Sequence, residues 1–132
     1  MSTLKADTIV ASDGTSPVTL TKQSAAKAWA NLNGAGTIAL RDSFNCSSAA
    51  DNGTGDYDYN WTNNFNNENY AFSGQAAYMN GSNASVLIWG QKNESAYTTS
   101  INTSDINVQS TNQNMGAFDA GSTTISVNGD LA

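Results

Sequence analysis

Polar and apolar positions alternate with a period of two over much of the chain after residue 43. The clearest run is Asp56-Tyr57-Asp58-Tyr59-Asn60-Trp61, which puts Tyr57, Tyr59 and Trp61 on one strand face and three polar residues on the other. Before it, Ser43-Phe44-Asn45-Cys46-Ser47 reads as one strand with Phe44 and Cys46 facing the same way. Asp51-Asn52-Gly53-Thr54-Gly55 lies between the two and is dense in turn formers, so the pair is expected to form a hairpin with a loop of about five residues. Residues 63–69 are rich in Asn and read as a loop. Tyr70, Phe72, Ala76 and Tyr78 then share a strand face. Val86-Leu87-Ile88-Trp89 is apolar on both faces, the pattern of a central strand or a subunit interface. Tyr97, Thr99 and Ile101, then Ile106 and Val108, then Ile125, Val127 and Leu131 continue the alternation.

Strands recurring every 10–15 residues with turn chemistry between them predict an all-β fold, a compact antiparallel β-sandwich or jelly-roll-like module. Residues 24–32 fit two templates. Ala25, Trp29 and Leu32 lie at helical spacing, and from pattern alone the helix fits slightly better. Read as a strand, Ala28, Ala30 and Leu32 share one face, and Trp29 and Asn31 share the other. Residues 1–23 contain no aromatic side chain, and residues 6–11 and 18–20 read as short extended pieces. The larger apolar residues there, Leu4, Ile9, Val10, Val18 and Leu20, are too few for a core. The chain therefore divides into an extended N-terminal attachment or trimerisation segment, 1–28, and a β-sandwich domain, 29–132. The five apolar residues of the first segment are the candidate oligomerisation contacts.

Composition narrows the function classes. The 132 residues carry 11 Asp+Glu against 5 Lys+Arg, a net charge of −6, which opposes binding to nucleic acid. No polybasic patch or span of about 20 apolar residues points to membrane insertion. There is no His, which removes Ser-His-Asp and Cys-His catalysis and the commonest metal ligand. One Cys excludes an internal disulfide or a CxxC motif, and on the Phe44 face it reads as a small buried hydrophobe. The chain is polar although only 12% of it is charged, so its polarity comes from Asn, Ser and Thr. Twelve aromatics (3 Trp, 5 Tyr, 4 Phe) and 39% apolar residues argue for a folded chain.

Candidate chemistry is sparse. Residues 51–58 place carboxylates and glycines close together, but they miss the EF-hand pattern and offer too few oxygens for calcium. A hairpin turn explains them better, so neither metal nor cofactor is expected. Asp56 with Asp58, or Asp51 with Asp56, suits a solvated strand face better than a glycosidase pair. Asp58 on that face is expected to matter little to stability. Seven Asn-x-Ser/Thr sequons, at Asn45, Asn52, Asn60, Asn80, Asn83, Asn93 and Asn102, follow from the Asn, Ser and Thr content, and no signal peptide precedes them. Trp61, Trp89, Tyr97 and the Asn-rich loops hold the side chains that a sugar-binding surface uses, rings to stack and amides to donate and accept. The candidate glycan contacts are Asn64, Asn66, Asn67, Trp89 and Tyr97. No catalytic residues are expected.

Residues 17–29 (PVTLTKQSAAKAW), 36–45 (GTIALRDSFN) and 51–57 (DNGTGDY), with the opening 4–9 (LKADTI), resemble small tail-fibre or virion structural proteins of tailed phages of marine and cyanobacterial hosts. Trp29-Ala30-Asn31-Leu32-Asn33-Gly34 is similar to a Trp-x-Asn strand of that family, which turns the reading of 28–32 from helix to strand. The resemblance covers roughly the first half of the chain and carries no catalytic motif. It implies a non-enzymatic, β-rich homotrimer on the virion surface, either a tail fibre or receptor-binding module that contacts host polysaccharide, or a capsid decoration or head fibre that contacts other virion proteins. A free carbohydrate-binding module is the reading from another class.

Overall fold

A computed structural model describes Ser12 and residues 25–77, 86–89, 101–111 and 116–132. Its strands are β1 (Ala28–Asn33), β2 (Ala39–Phe44), β3 (Cys46–Gly53), β4 (Asp56–Trp61), β5 (Ala71–Ala77), β6 (Val86–Trp89), β7 (Asp105–Thr111) and β8 (Ser122–Asn128). All pairings are antiparallel, in the order β2-β1-β8-β5-β6-β7-β4-β3. Strands β5, β6 and β7 pair consecutively and β8 returns beside β5, a Greek-key arrangement.

The two edges of this ladder, β2 and β3, are joined by Asn45 alone. One residue spans under about 4 Å, so the sheet has to fold over until its edges meet. The buried residues confirm the folding: Ala28, Ala30 and Leu32 of β1 and Ile125 and Val127 of β8 share one cluster with Tyr57, Tyr59 and Trp61 of β4 and Ile106 and Val108 of β7. The chain is thus an all-β antiparallel sandwich, with faces β2-β1-β8-β5 and β6-β7-β4-β3.

Asn45 has φ 54°, in the left-handed region that Asn tolerates better than most residues. Its side chain accepts from Asn63 N at 2.7 Å and donates to Asn63 O at 3.1 Å. This corner corrects the reading of residues 43–47 as one strand. Phe44 is 53% exposed while Cys46 is buried, because the left-handed residue between them breaks the alternation. Residues 28–33 form a strand in which Ala28, Ala30 and Leu32 are buried. The tyrosine hairpin forms with a tighter turn than expected. Strand β3 runs on to Gly53, helped by the Gly53 N–H donating to Asp51 Oδ1 at 3.0 Å, and only Thr54 and Gly55 form the turn.

Both ends of the sandwich are tied. At one end the Tyr57 hydroxyl donates to Gly34 O at 3.1 Å, and Asp119 Oδ1 accepts from Gly55 N at 2.7 Å. At the other, Trp61, Phe65 and Tyr70 pack together, with Trp61 edge-on to both others. There the Tyr70 hydroxyl lies 2.9 Å from Asn102 O and 3.0 Å from Asp105 O. Leu4, Ile9, Val10, Val18 and Leu20, the two extended pieces 6–11 and 18–20, and Tyr78, Tyr97 and Thr99 lie outside the described residues.

Candidate functional site

Strand β1 assigns its side chains in an uncommon way. The small Ala28 and Ala30 fill the core while Trp29 points out and stays 37% exposed. A one-residue slip would bury Trp29 and expose Leu32, which is fully buried here. The cross-strand partner of Trp29 on β2 is Phe44, which is 53% exposed. Cross-strand partners project from the same side of a sheet, so two large aromatics stand together on the outer face.

The same register extends this row across the sheet, with Ser126 of β8 opposite Trp29 and Ser73 of β5 opposite Ser126. The next outward row is Asp42, Asn31, Thr124 and Gln75. Thr124 Oγ1 donates to the backbone Gln75 O at 3.3 Å, and Ser122 Oγ, two residues back along β8, donates to Asn31 Oδ1 at 3.3 Å. Where the two rows cross β5 and β8 there is a depression of about 340 Å³, lined by Ser73, Gly74, Gln75, Thr124, Ile125 and Ser126. The face is therefore an aromatic pair beside hydroxyl and amide groups, on strands roughly 4.8 Å apart.

The opposite outer face is built differently. Asn107 of β7 donates its side-chain amide to Asp56 and Asp58 of β4, each at 2.7 Å. Asp105 accepts from Asn102 Nδ2 at 2.7 Å and from Ser104 Oγ at 2.6 Å. Asp56 is buried, so β4 does not present three solvated polar residues as its pattern implied; Asn107 closes over that position. Among the described residues no group of three His, Cys, Asp or Glu is placed to hold a metal ion.

The expected glycan contacts fare unevenly. Asn64, Asn66 and Asn67 are exposed, in the loop that closes one end of the sandwich. Their polar groups also serve that closure: Asn64 O accepts from Ala132 N, Asn66 N donates to Asp130 O, and Asn67 Oδ1 accepts from Asn69 N in a local turn. Trp89 lies opposite Gln109 in the register of β6 with β7, but its side chain, like Tyr97, lies outside the described residues. Trp61 is only 5% exposed, so it is a core residue and no platform for a sugar. Trp29 and Phe44 were missed because the pattern shows which residues share a face, while the facing partner that decides which face is wet lies far away in sequence.

Burial also sets the titration of the interior. It pushes the Tyr57 and Tyr70 hydroxyls up to about 12, with Asp119 and Asp105 respectively adding to the effect. It raises the Cys46 thiol from its ordinary 9.0 to about 11. Tyr59 is raised further by the same cause. The unfolded chain releases these protons at lower pH than the folded one. The stabilisation is complete below about pH 9 and is lost as pH rises through the folded values near 11 and 12. The melting temperature should therefore fall steadily between about pH 9.5 and 12. A melting temperature flat across that range would show that the tyrosines titrate freely in the fold.

No protein-family model, curated protein or solved structure matches the chain.

Proposed function

We propose that the protein is a non-enzymatic, homotrimeric surface module of a tailed-phage virion, a tail fibre or receptor-binding element that contacts host-surface glycan. The observation that carries the recognition role is the outward pair Trp29 and Phe44, the exposed large hydrophobic side chains among the described residues. Scattered single apolar residues are ordinary on a surface, but a cross-strand pair of large aromatics marks a contact site. The rigid sandwich beneath suits such a role, since both of its ends are tied by backbone and side-chain hydrogen bonds. The virion setting rests on the resemblance of residues 17–57 to phage structural proteins. The trimer rests on the weakly apolar residues 1–23, which hold no aromatic side chain and for which interlocking copies would supply the core that one copy lacks.

Two measurements test this reading. Light scattering should give three times the 13.8 kDa of one chain, and a stable monomer at micromolar concentration would refute the trimer. Antibody-labelled virions should carry the label on the tail. A label on the capsid would make the protein a decoration of the shell, and an unlabelled particle would remove it from the virion.

A further inference from the structure

We infer that the outer face of β2-β1-β8-β5 binds an uncharged oligosaccharide, which stacks on Trp29 and Phe44 and reaches into the depression at Ser73, Gln75, Thr124 and Ser126. This rests on reading the protein as a recognition module, and it moves the contact from the Asn-rich loops to the sheet.

The class of ligand follows from what the face offers. Aromatic rings present a negative π-face that suits the C–H groups of a pyranose. Hydroxyl and amide side chains both donate and accept, as sugar hydroxyls require. The depression of about 340 Å³ falls at the small end of the range of ligand sites, about 300–1,000 Å³. Charge disfavours the acidic sugars. The two outward rows carry one ionisable side chain, Asp42, and no cation. The nearby Arg41 is turned to Asn33 Oδ1 at 3.1 Å. The cations near this face, Lys27 just before β1 and Arg41 at Asn33, flank the rows and do not line the depression, and the net charge of −6 on the chain opposes the approach of a uronate or sulfate. A second copy of the chain is a poorer occupant. A stable interface buries about 800 Å² per partner around an apolar centre, and two aromatics among Ser, Thr, Asn and Gln do not supply one.

The purified full chain is titrated with neutral fragments of glucan, mannan and galactan, and with uronate and sulfated oligosaccharides, while the Trp29 indole N–H resonance is followed by NMR. At least one neutral fragment should shift that resonance. Trp29→Ala and Phe44→Ala should each weaken its binding about tenfold or more, the usual effect of removing an aromatic anchor. Trp29→Tyr, which keeps a stacking ring, and Asn60→Ala, on the opposite face, should keep the affinity within about threefold. Melting curves check folding, and Phe44→Ser replaces any alanine variant that does not fold. The inference is overturned if no neutral fragment binds, if only anionic ones do, or if both aromatic truncations leave affinity unchanged. It is also overturned if those truncations lower the mass by light scattering, since the face then belongs to an interface between copies. Virion labelling is independent of all these outcomes. A protein absent from the particle that still binds a neutral fragment through Trp29 keeps this inference and loses the virion setting.

Discussion

Replacing Tyr59 by Ala should cost about 3 kcal/mol or more in urea unfolding, the scale of buried aromatic truncations. Tyr59 is fully buried in the middle of β4, between its register partners Ala49 on β3 and Ile106 on β7. A chain with so few large aliphatic residues relies on its aromatics for buried area, about 150–250 Å² each. Its hydroxyl makes the prediction sharper. The oxygen is buried and has no hydrogen-bond partner. A buried polar group without a partner opposes folding, so Tyr59→Phe should be neutral or stabilise by up to about 1 kcal/mol. On the outer side of the same strand, Asp58→Ala removes one acceptor from Asn107, whose amide keeps Asp56, and should cost less than about 1 kcal/mol. If Tyr59→Phe costs as much as Tyr59→Ala, the hydroxyl is bonded and the unpartnered interior is wrong. If both Tyr59→Ala and Asp58→Ala are mild while host-cell binding is lost, the face is a receptor platform and the core lies elsewhere.

What the sequence disclosed follows from the range of each signal. Alternation over 56–61 is local, so the hairpin and its buried Tyr57, Tyr59 and Trp61 were readable. The strand reading of 28–32 likewise put Ala28, Ala30 and Leu32 together, as the fold does. Long-range arrangement was not readable. Nothing near residue 45 announces that β2 and β3 lie at opposite ends of the ladder, or that Asn45 turns one apparent strand into two. Alternation alone therefore groups Phe44 with Cys46, although Phe44 points the other way. The candidate site failed for the same reason. The row from Phe44 through Trp29 and Ser126 to Ser73 joins residues from four strands, and only the register brings them together.

Gly55→Ala should cost about 3 kcal/mol or more, and Gly36→Ala only about 1 kcal/mol, although the two glycines have nearly the same backbone conformation, φ 68° and 70°. The left-handed penalty, about 1–2 kcal/mol for a residue with a Cβ, applies to both. Their surroundings differ. A Cβ on Gly36 meets nothing within 4 Å. A Cβ on Gly55 falls 2.6 Å from Ser110 O and 2.8 Å from Phe118 O, both backbone atoms. Relief requires the hairpin turn to move, yet both of its peptide groups are held. Gly55 O accepts from Ser110 N at 2.7 Å, and Gly55 N donates to Asp119 Oδ1 at 2.7 Å. The overlap should therefore add about 1–3 kcal/mol, the usual range for overpacking. Thermal or urea unfolding of the two variants side by side cancels the shared backbone term and leaves the contact with residues 110–119. Equal losses in the two variants would mean that the segment around Phe118 does not rest on the hairpin. A loss in Gly55→Ala well above that in Gly36→Ala, accompanied by a smaller loss in Asp119→Ala, would locate the tie where the structure puts it.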